Sequence, residues 1–301
     1  MLTLYKYRNL STRTEDIFKD RKIWLAQPAT LNDPFECKFE DFEASQLQAK
    51  ARETMGIQLS GFVMTAHMAH ENSEDFFGIK GKDIKHLLRR IKSANSLSKK
   101  YRIANEFFSE RGAMGFSDPN GHAKSLQNQM SEVGVFSLSE DPTNMLMWSH
   151  YSDNHKGLAI GFLQTPDSKL SDDKFCRPII YSDEPNKFDF NKGHIAGLVY
   201  SKDEEGSVKS MSYISIDDVQ VQKALFTKTT VWAYEKEWRY LMPKFGPYDF
   251  PAQISELVFG LKCSDDDCMK YIDLCKEIGG DIIFKKAVKT KDSTSLSLQI
   301  L

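Results

Sequence analysis

The amino-acid sequence predicts an α+β protein with a mixed or split β-sheet, and three observations lead to this fold class. Short runs with the two-residue alternation of strands occur both before and after residues 43–130, as at 2–7 and 158–162. Between them, residues 43–130 are rich in Lys, Gln, Ala, Met and Leu and follow helical spacing. Strands and helices do not alternate in the strict order of a doubly wound sheet.

The elements follow from the same patterns, taken in order. Residues 43–130 are predicted to be a helical insertion within a single α+β domain that spans residues 1–301. A further helix is expected at 265–278. Strands are expected at 2–7, 22–26, 133–138, 158–162, 178–181, 237–242, 256–260, 281–284 and 296–301.

The composition narrows the class of protein. The chain has 301 residues, of which 41% are hydrophobic and 27% charged, as is typical of globular proteins. Forty basic and 42 acidic residues leave a net charge of −2, which gives no argument for nucleic acid or a membrane as partner. Five scattered cysteines favour a reducing compartment. Without a signal sequence or a long apolar run, we expect a cytoplasmic protein.

Residues 234–239 form the most informative segment, because they have the pattern of a strand with one polar face. On a two-residue period, Glu235, Glu237 and Arg239 share that face, while the aromatic side chains face the core. Two neighbouring carboxylates repel each other, which raises the pKa of one, and the guanidinium partly offsets this. Such a carboxylate can bind a sugar hydroxyl or act as a base. The alternative is a solvated ladder of ion pairs on an exposed face.

The strand predicted at 133–138 and the helix after it carry further candidates. Ser137 and Ser139 share a strand face, where a hydroxyl can orient a ligand or cap the helix that follows. His150 and His155 are five residues apart, which does not place both on one helix face, so a metal pair is not expected. Gly157 closes a turn that we expect to need a positive φ angle.

Two N-terminal segments add a cation and two polar side chains. Arg8 ends the first strand, where its guanidinium could hold a phosphate or a carboxylate. Asn32 and Asp33 precede Pro34 and either line a site or only form a turn.

The segment 80–102 is strongly basic. It holds nine Lys or Arg and one acidic residue, Asp83, together with an apolar stripe at helical spacing. This pattern predicts an amphipathic basic helix. Its charged face is either solvated or a contact for nucleic acid or a partner protein. Nearby, His67 and His70 lack a third ligand for a metal.

The motifs together resemble a widespread bacterial family of unknown function. The resemblance covers most of the chain outside residues 43–130, and it rests on L-Y-K-Y-R, N-D-P-F-E, F-S-L-S-E, M-W-S-H-Y-x3-H-x-G and W-x-Y-E-x-E-W-R. No activity is established for that family, so the resemblance implies none for this chain.

The order of three elements is also similar to that in the mono-ADP-ribosyltransferases. The matching positions are Arg8 on the first strand, the segment 137–139 and the segment 235–237. The resemblance implies a transferase-like fold and NAD as substrate, with Arg8 holding NAD and the final glutamate, Glu237, stabilising a cation at the nicotinamide ribose. Asn9 departs from the family's glycine after the first arginine, and Trp238 with Arg239 lies outside its pattern.

The sequence therefore leaves three hypotheses of function. The first is an NAD-consuming, ADP-ribosyltransferase-like enzyme, such as a toxin or a phage-defence effector. Its site residues would be Glu237 and Glu235 as catalytic groups, with binding groups at Arg8, Ser137, Ser139, Tyr151 and Arg239.

The second hypothesis is a non-catalytic module that binds a nucleotide, a nucleic acid or a protein, with the basic segment as a possible contact. The third is metal-assisted hydrolysis by Asp33, His150 and Glu237, which has no ligand spacing in its favour, so no metal is expected.

Overall fold

A computed structural model gives the fold, and it describes residues 1–39, 42–113, 115–190, 192, 195–202, 208–214, 217–292 and 294–301. The strands are β1 (Leu2–Arg8), β2 (Lys22–Leu25), β3 (Gly134–Ser139), β4 (Leu158–Gln164), β5 (Cys176–Pro178), β6 (Ile180–Tyr181), β7 (Ile195–Lys202), β8 (Val208–Ile214), β9 (Thr227–Lys228), β10 (Glu237–Met242), β11 (Gly246–Asp249), β12 (Ile254–Phe259), β13 (Ile283–Lys289) and β14 (Leu296–Ile300). The helices are α1 (Thr12–Asp20), α2 (Ala44–Glu71), α3 (Lys82–Ser93), α4 (Leu97–Ser109), α5 (His122–Glu132), α6 (Met145–Tyr151), α7 (Val219–Leu225) and α8 (Asp265–Ile278). Short 3-10 helices cover Pro28–Thr30, Lys169–Ser171 and Thr230–Glu235.

Eight of the strands form one mixed sheet, in the order β14-β13-β12-β4-β1-β3-β10-β5. β12 and β13 run parallel, whereas β1 pairs antiparallel with both β3 and β4, and β3 pairs antiparallel with β10. The predicted α+β class and mixed sheet are therefore confirmed. The strand predicted at 237–242 and the helix predicted at 265–278 coincide with β10 and α8.

Contacts within the chain divide it into two compact units. The first consists of Met1–Lys38, Met130–Pro185 and Gln222–Leu301, and the second of Phe39–Gln129 and Asn186–Val221. The segment 43–130, predicted to be helical, contains α2, α3, α4 and most of α5. Its interpretation as an insertion into a single domain stays a prediction.

In the first unit, each face of the sheet packs on its own apolar cluster. Because side chains alternate along a strand, neighbouring residues of β1 belong to different clusters. Leu4 is in the larger cluster, with Tyr240 of β10 and Tyr271 of α8. Tyr5 is in the smaller one, with the fully buried Trp148 of α6. The aromatic side chains of β10 thus face the core, as the sequence predicted.

The turn between α6 and β4 differs from the prediction for Gly157. The positive φ angles fall on residues 153–155, not on the glycine. A Cβ atom at Gly157 would lie 2.1 Å from the carbonyl oxygen of Arg8 and 2.5 Å from Oγ of Ser152. Glycine is therefore needed here for the close approach of β1, and not for its backbone angles.

In the second unit, α2, α3 and α4 pack around a cluster of phenylalanines. Phe62 of α2 makes edge-to-face contacts with Phe76, Phe107 and Phe108, with ring centroids 5.1 to 5.7 Å apart. The unit also contains the antiparallel hairpin of β7 and β8. Among the helices that the structure describes, none has both the length and the apolar composition needed to cross a membrane.

Candidate functional site

Three adjacent strands of the sheet carry the polar segments identified in the sequence. β3 lies between β1 and β10, and Ser139 is opposite Tyr5 on one side and Glu237 on the other. Ser137 is opposite Arg239. Because residues opposite each other project to the same face, these side chains lie together on the face that turns away from the larger apolar cluster.

Glu235 reaches this face by a route that the sequence did not predict. The predicted strand 234–239 begins only at Glu237, and Thr230–Glu235 form a 3-10 helix instead. Lys236 ends this helix in the left-handed conformation, with φ 44° and ψ 51°. That residue turns the chain between the two carboxylates. Charged and aromatic residues alternate in this segment as they do in a strand. The left-handed conformation of Lys236 nevertheless interrupts the two-residue period.

Lys228 of β9 joins the carboxylates of this face into one ionic network. Its Nζ lies 2.6 Å from Oε2 of Glu235, 3.2 Å from Oε2 of Glu237 and 3.9 Å from Oε2 of Glu36. Glu235 and Glu237 are each 3% exposed. The alternative interpretation of the segment, a solvated ladder of ion pairs, is therefore wrong. Charges buried to this degree are tolerated because each has an opposite charge beside it.

Arg239 supplies the second cation of the network and is fully buried. Its Nε donates to Oε1 of Glu237 at 2.8 Å, and its Nη2 donates to Oε2 of Glu36. Nη1 donates to the carbonyl oxygen of Leu225 at 2.7 Å and contacts Sγ of Cys37 at 3.1 Å. The guanidinium thus holds the two carboxylates in place, and it is not part of the lining of the cleft described below.

Burial and opposite charges act against each other in this network. Burial raises the pKa of Glu237, and Lys228 and the hydroxyl of Ser137 offset only part of this rise. Burial lowers the pKa of Lys228, but Glu237 and Glu235 outweigh it, and the pKa is raised. The lysine therefore stays charged at neutral pH. Its charge opposes the effect of burial on the pKa of Glu237.

A cleft of about 210 Å³ opens beside the network. Glu235, Glu237, Lys228 and Ser137 line it on the network side. Tyr151 is also part of the lining, and its hydroxyl donates to Oε1 of Glu235 at 2.6 Å. The cleft thus presents three carboxylates, two ammonium groups and several hydroxyls, next to apolar walls that include Leu31 and Met147.

The structure brings five of the predicted site residues to this cleft, namely Glu235, Glu237, Ser137, Tyr151 and Asn32. The side-chain amide of Asn32 donates to the hydroxyl of Tyr151 at 3.1 Å. Asp33 lies next to it but is buried, and its carboxylate accepts from the backbone of Phe35 and the hydroxyl of Thr229. It therefore forms the turn that the sequence offered as the alternative, and it does not line the cleft.

Arg8 is not brought to the cleft. It shares a strand face with Leu4 and Lys6, and of these three residues only Lys6 is part of the lining. Burial and the charge of Arg13 in α1 lower the pKa of Arg8, and Tyr271 of α8 acts against them. The first strand contributes Lys6 to the cleft instead, and its Nζ donates to the carbonyl oxygen of Ser137 at 2.9 Å.

Ser139 and the two histidines also lie outside the lining of the cleft. The hydroxyl of Ser139 donates to the carbonyl oxygen of Glu235 at 2.6 Å, which ties the 3-10 helix to β3. His150 is exposed, with its ring 6.4 Å from that of Tyr234. Nε2 of His155 lies 3.2 Å from the hydroxyl of Ser149. These three residues support the surroundings of the cleft and do not face it.

Sequence reasoning missed Lys228, Lys6 and Glu36. Glu36 is the last residue of the N-D-P-F-E segment, so its place in a recognisable motif was the available signal. Lys6 lies in L-Y-K-Y-R, two residues from the arginine that was chosen instead. Lys228 gave no local signal. It was detectable only from the requirement that buried carboxylates have a counter-charge.

The residues of the cleft suit an organic ligand better than a metal ion. The ionic network sets Lys228 and Arg239 against three carboxylates, so a single negative charge is left for a cation. Within the part of the chain that the structure describes, no three or more His, Cys, Asp or Glu residues are grouped so that they could hold a metal. A polar ligand with hydroxyl groups could bind the carboxylates and Tyr151.

Comparison with known proteins gave one match. Neither the search among curated proteins nor the search among solved structures found a similar protein. Residues 147–240 match the family described as "Protein of unknown function (DUF2971)". The matched segment begins in α6 and ends in β10, and it includes Tyr151, Lys228, Glu235 and Glu237. This stretch of the chain, which supplies much of the cleft, is thus similar to a protein family of unknown function.

Proposed function

We propose that the cleft is the active site of an NAD-consuming enzyme similar to the ADP-ribosyltransferases. The observation that carries the proposal is the pairing of β3 with β10, which brings two of the three motif elements, Ser137 and Glu237, together at one cleft. The third element takes part through Lys6 and not through Arg8. A lysine can stabilise a phosphate as a point charge, although without the forked geometry of arginine.

The size of the cleft suggests which part of the substrate it would receive. Its volume of about 210 Å³ is below the range of roughly 300–1,000 Å³ that is usual for sites enclosing a whole small molecule. We therefore expect the nicotinamide and its ribose to enter the cleft, while the adenosine half lies outside.

The chemistry needs a fixed negative charge next to the ribose. In the proposed reaction, the bond between C1′ of the ribose and the nicotinamide nitrogen breaks, and its electron pair leaves with nicotinamide. The ribose becomes an oxocarbenium-like cation, which an ionised carboxylate stabilises. An acceptor oxygen or nitrogen then bonds to C1′ and loses its proton. Glu237 is suited to this role because Arg239 and Lys228 fix its position, and Lys228 offsets part of the rise in its pKa that burial causes.

Glu235 and Tyr151 would bind the substrate. Both line the cleft and are hydrogen-bonded to each other. A carboxylate accepts strongly from the hydroxyls of a ribose. The hydroxyl of Tyr151 could then donate to the substrate in place of the glutamate, which would couple substrate binding to the release of that hydrogen bond.

The test is release of nicotinamide from NAD by the purified full-length protein, with and without a mixture of protein and nucleic-acid acceptors. We expect turnover with the wild type. For Glu237→Gln we expect a loss of about 100-fold or more, because the removal of one stabilising electrostatic group costs about 10²–10³ in rate. A matched control is Glu256→Gln. Glu256 also accepts from a tyrosine hydroxyl and pairs with a lysine, but it lies outside the cleft.

The control decides how a loss of activity is interpreted. Equal loss in Glu237→Gln and Glu256→Gln would mean that a general change in stability caused it. No release of nicotinamide by the folded wild type with any acceptor would contradict the proposal. In that case, saturable binding of NAD without turnover would favour the alternative, a non-catalytic nucleotide-binding module.

A cytoplasmic location and a role as a toxin or phage-defence effector stay predictions that depend on this outcome.

A further inference from the structure

A second concave surface lies on the helices of the second unit, and its chemistry differs from that of the cleft. It is a groove of about 520 Å³ between α2, α3 and α4. Aliphatic side chains contribute to its lining, namely Leu59 and Val63 of α2 and Leu88 and Ile91 of α3. Its volume is within the range of roughly 300–1,000 Å³ of sites that enclose a small molecule. We call this surface the basic groove.

Cations line the same groove without acidic residues among them. Lys85, Arg89 and Lys92 come from α3, and Lys100 comes from α4. In α3 they follow positions i, i+4 and i+7, so they stand on one stripe of the helix. Within the described ranges of the chain, none of the four forms an ion pair. Four like charges placed around one cavity repel one another, and an anionic ligand would relieve this repulsion.

The histidines of α2 add to this side of the groove. His67 and His70 both contribute to the lining. Nδ1 of His70 is buried and has no hydrogen-bond partner among the residues that the structure describes. A buried polar atom without a partner is costly, and a ligand with hydrogen-bonding oxygens would give such atoms a partner.

We propose that the basic groove binds a small amphipathic anion, a phosphate ester carried on an aliphatic chain. The aliphatic lining would bury the chain, and the four cations would bind the phosphate oxygens. The lining has no Phe, Tyr or Trp side chain, which argues against single-stranded nucleic acid, because such strands bind mainly by stacking their bases on large aromatic rings. The concave shape argues against a membrane surface, which needs an apolar face that reaches into the lipid.

The test is calorimetric titration of the full-length protein with octyl phosphate. We expect saturable binding of one molecule per chain, which weakens as salt is added because the attraction is electrostatic. Octanol and inorganic phosphate, each of which carries only half of the proposed ligand, should each bind at least about ten-fold more weakly.

Two adjacent arginines of α3 provide a matched pair of variants. Arg89 lines the basic groove, whereas Arg90 is exposed on the same helix and does not line it. We expect Arg89→Glu to weaken octyl phosphate at least about ten-fold, and Arg90→Glu less than about three-fold. Both positions are exposed, so both variants should fold.

Three results would overturn the proposal. One is binding of octanol as tight as that of octyl phosphate, since the cations would then have no role. Another is equal weakening by Arg89→Glu and Arg90→Glu, which would indicate general attraction to a basic helix. The third is tighter binding of a single-stranded oligonucleotide or of anionic vesicles, lost in Arg89→Glu, which would make the groove part of a macromolecular contact. The release of nicotinamide is measured independently, so neither proposal depends on the other.

Discussion

The cleft of the first unit and the basic groove of the second handle charge in opposite ways. In the cleft, Glu235, Glu237 and Arg239 are at most 3% exposed, and each is held by an opposite charge. In the basic groove, Lys85, Arg89 and Lys92 are exposed, and no carboxylate lines the surface beside them. The charges beside the cleft are buried, whereas those of the basic groove are hydrated.

This difference follows from the cost of desolvation. Moving an ion out of water costs several kcal/mol, which only an opposite charge in good geometry can offset. The charges of the cleft must therefore be paired for the chain to fold at all. Exposed cations keep their hydration and tolerate one another at a small cost. Substitutions in the cleft should thus change stability, whereas substitutions in the basic groove should change only binding.

The largest expected effect is the loss of a buried cation. Arg239→Met keeps most of the side-chain volume but leaves Glu36 and Glu237 buried with less positive charge beside them. We expect the free energy of unfolding to fall by about 3–5 kcal/mol, measured by urea denaturation. The matched variant is Arg89→Met in the basic groove, which should change it by less than about 0.5 kcal/mol.

Equal effects of these two substitutions on the free energy of unfolding would contradict the proposed difference between the buried and the exposed charges. A loss below about 1 kcal/mol in Arg239→Met would show that the ionic network of the cleft can rearrange or admit water. The role of Arg239 in fixing Glu237 would then have to be abandoned.

A second, smaller effect compares one glycine from each unit. In Gly157→Ala of the first unit, the new Cβ would lie 2.1 Å from the carbonyl oxygen of Arg8, so backbone must move. We expect a loss of about 1–3 kcal/mol in the free energy of unfolding. Gly56 lies inside α2 of the second unit with no atom within 4 Å of such a Cβ. Gly56→Ala should therefore stabilise the protein by about 0.5–1 kcal/mol.

Thermal unfolding of both variants measures these two changes in stability. The two shifts in melting temperature should have opposite signs. A neutral Gly157→Ala would show that the contact between the turn and β1 is not close in solution.

A third effect depends on pH and concerns Lys6, the cation of the first strand that lines the cleft. Burial, together with the charge of Arg8, lowers its pKa from 10.5 to about 8, although Glu237 and Glu235 act against this. Between these two pH values the unfolded chain binds a proton that the folded protein has released. Stability therefore rises with pH in this window, by at most about 1.4 kcal/mol per pH unit. Below pH 8 both states bind the proton, and the dependence ends.

Urea denaturation of the wild type and Lys6→Met between pH 7 and pH 10 isolates this contribution. The stability of the wild type relative to the variant should rise above about pH 8. Lys82→Met, at an exposed position of the second unit, controls for the loss of a positive charge. A constant or falling difference for Lys6→Met would place Lys6 with the solvated cations of the molecule and not with the buried ones.

Local patterns in the sequence were sufficient for much of the fold. The helix 265–278 and the strand 237–242 were predicted with the bounds that the structure has, because both have a clear period and clear ends. The prediction of a strand at 234–236 was wrong. The side chains alternate as in a strand, but Lys236 has a left-handed backbone conformation that interrupts it. Gly157 was identified as a constrained position for the wrong reason. The constraint comes from β1, more than a hundred residues earlier in the chain.

The candidate site was predictable only in part, for a similar reason. Glu235, Glu237, Ser137, Tyr151 and Asn32 stood in recognisable motifs, and all five line the cleft.

The same motifs named Arg8, which does not line the cleft, whereas Lys6 on the same face of β1 does. Lys228 stood in no motif. The partner of a buried carboxylate is an opposite charge that lies close to it in the folded protein, and neighbouring residues in the sequence do not reveal which one that is.

The sequence by itself determined the α+β class, the helical character of residues 43–130 and the presence of a polar segment at 235–239, because these depend on composition and short-range period. Only the tertiary structure decided that this segment is buried, that Lys228 and Arg239 neutralise it and that Lys6 takes the place expected of Arg8. It also decided that the basic residues of α3 surround a cavity instead of a flat face. The physical reason is that burial and pairing of charges depend on which segments meet in space, and that depends on the packing of the whole chain.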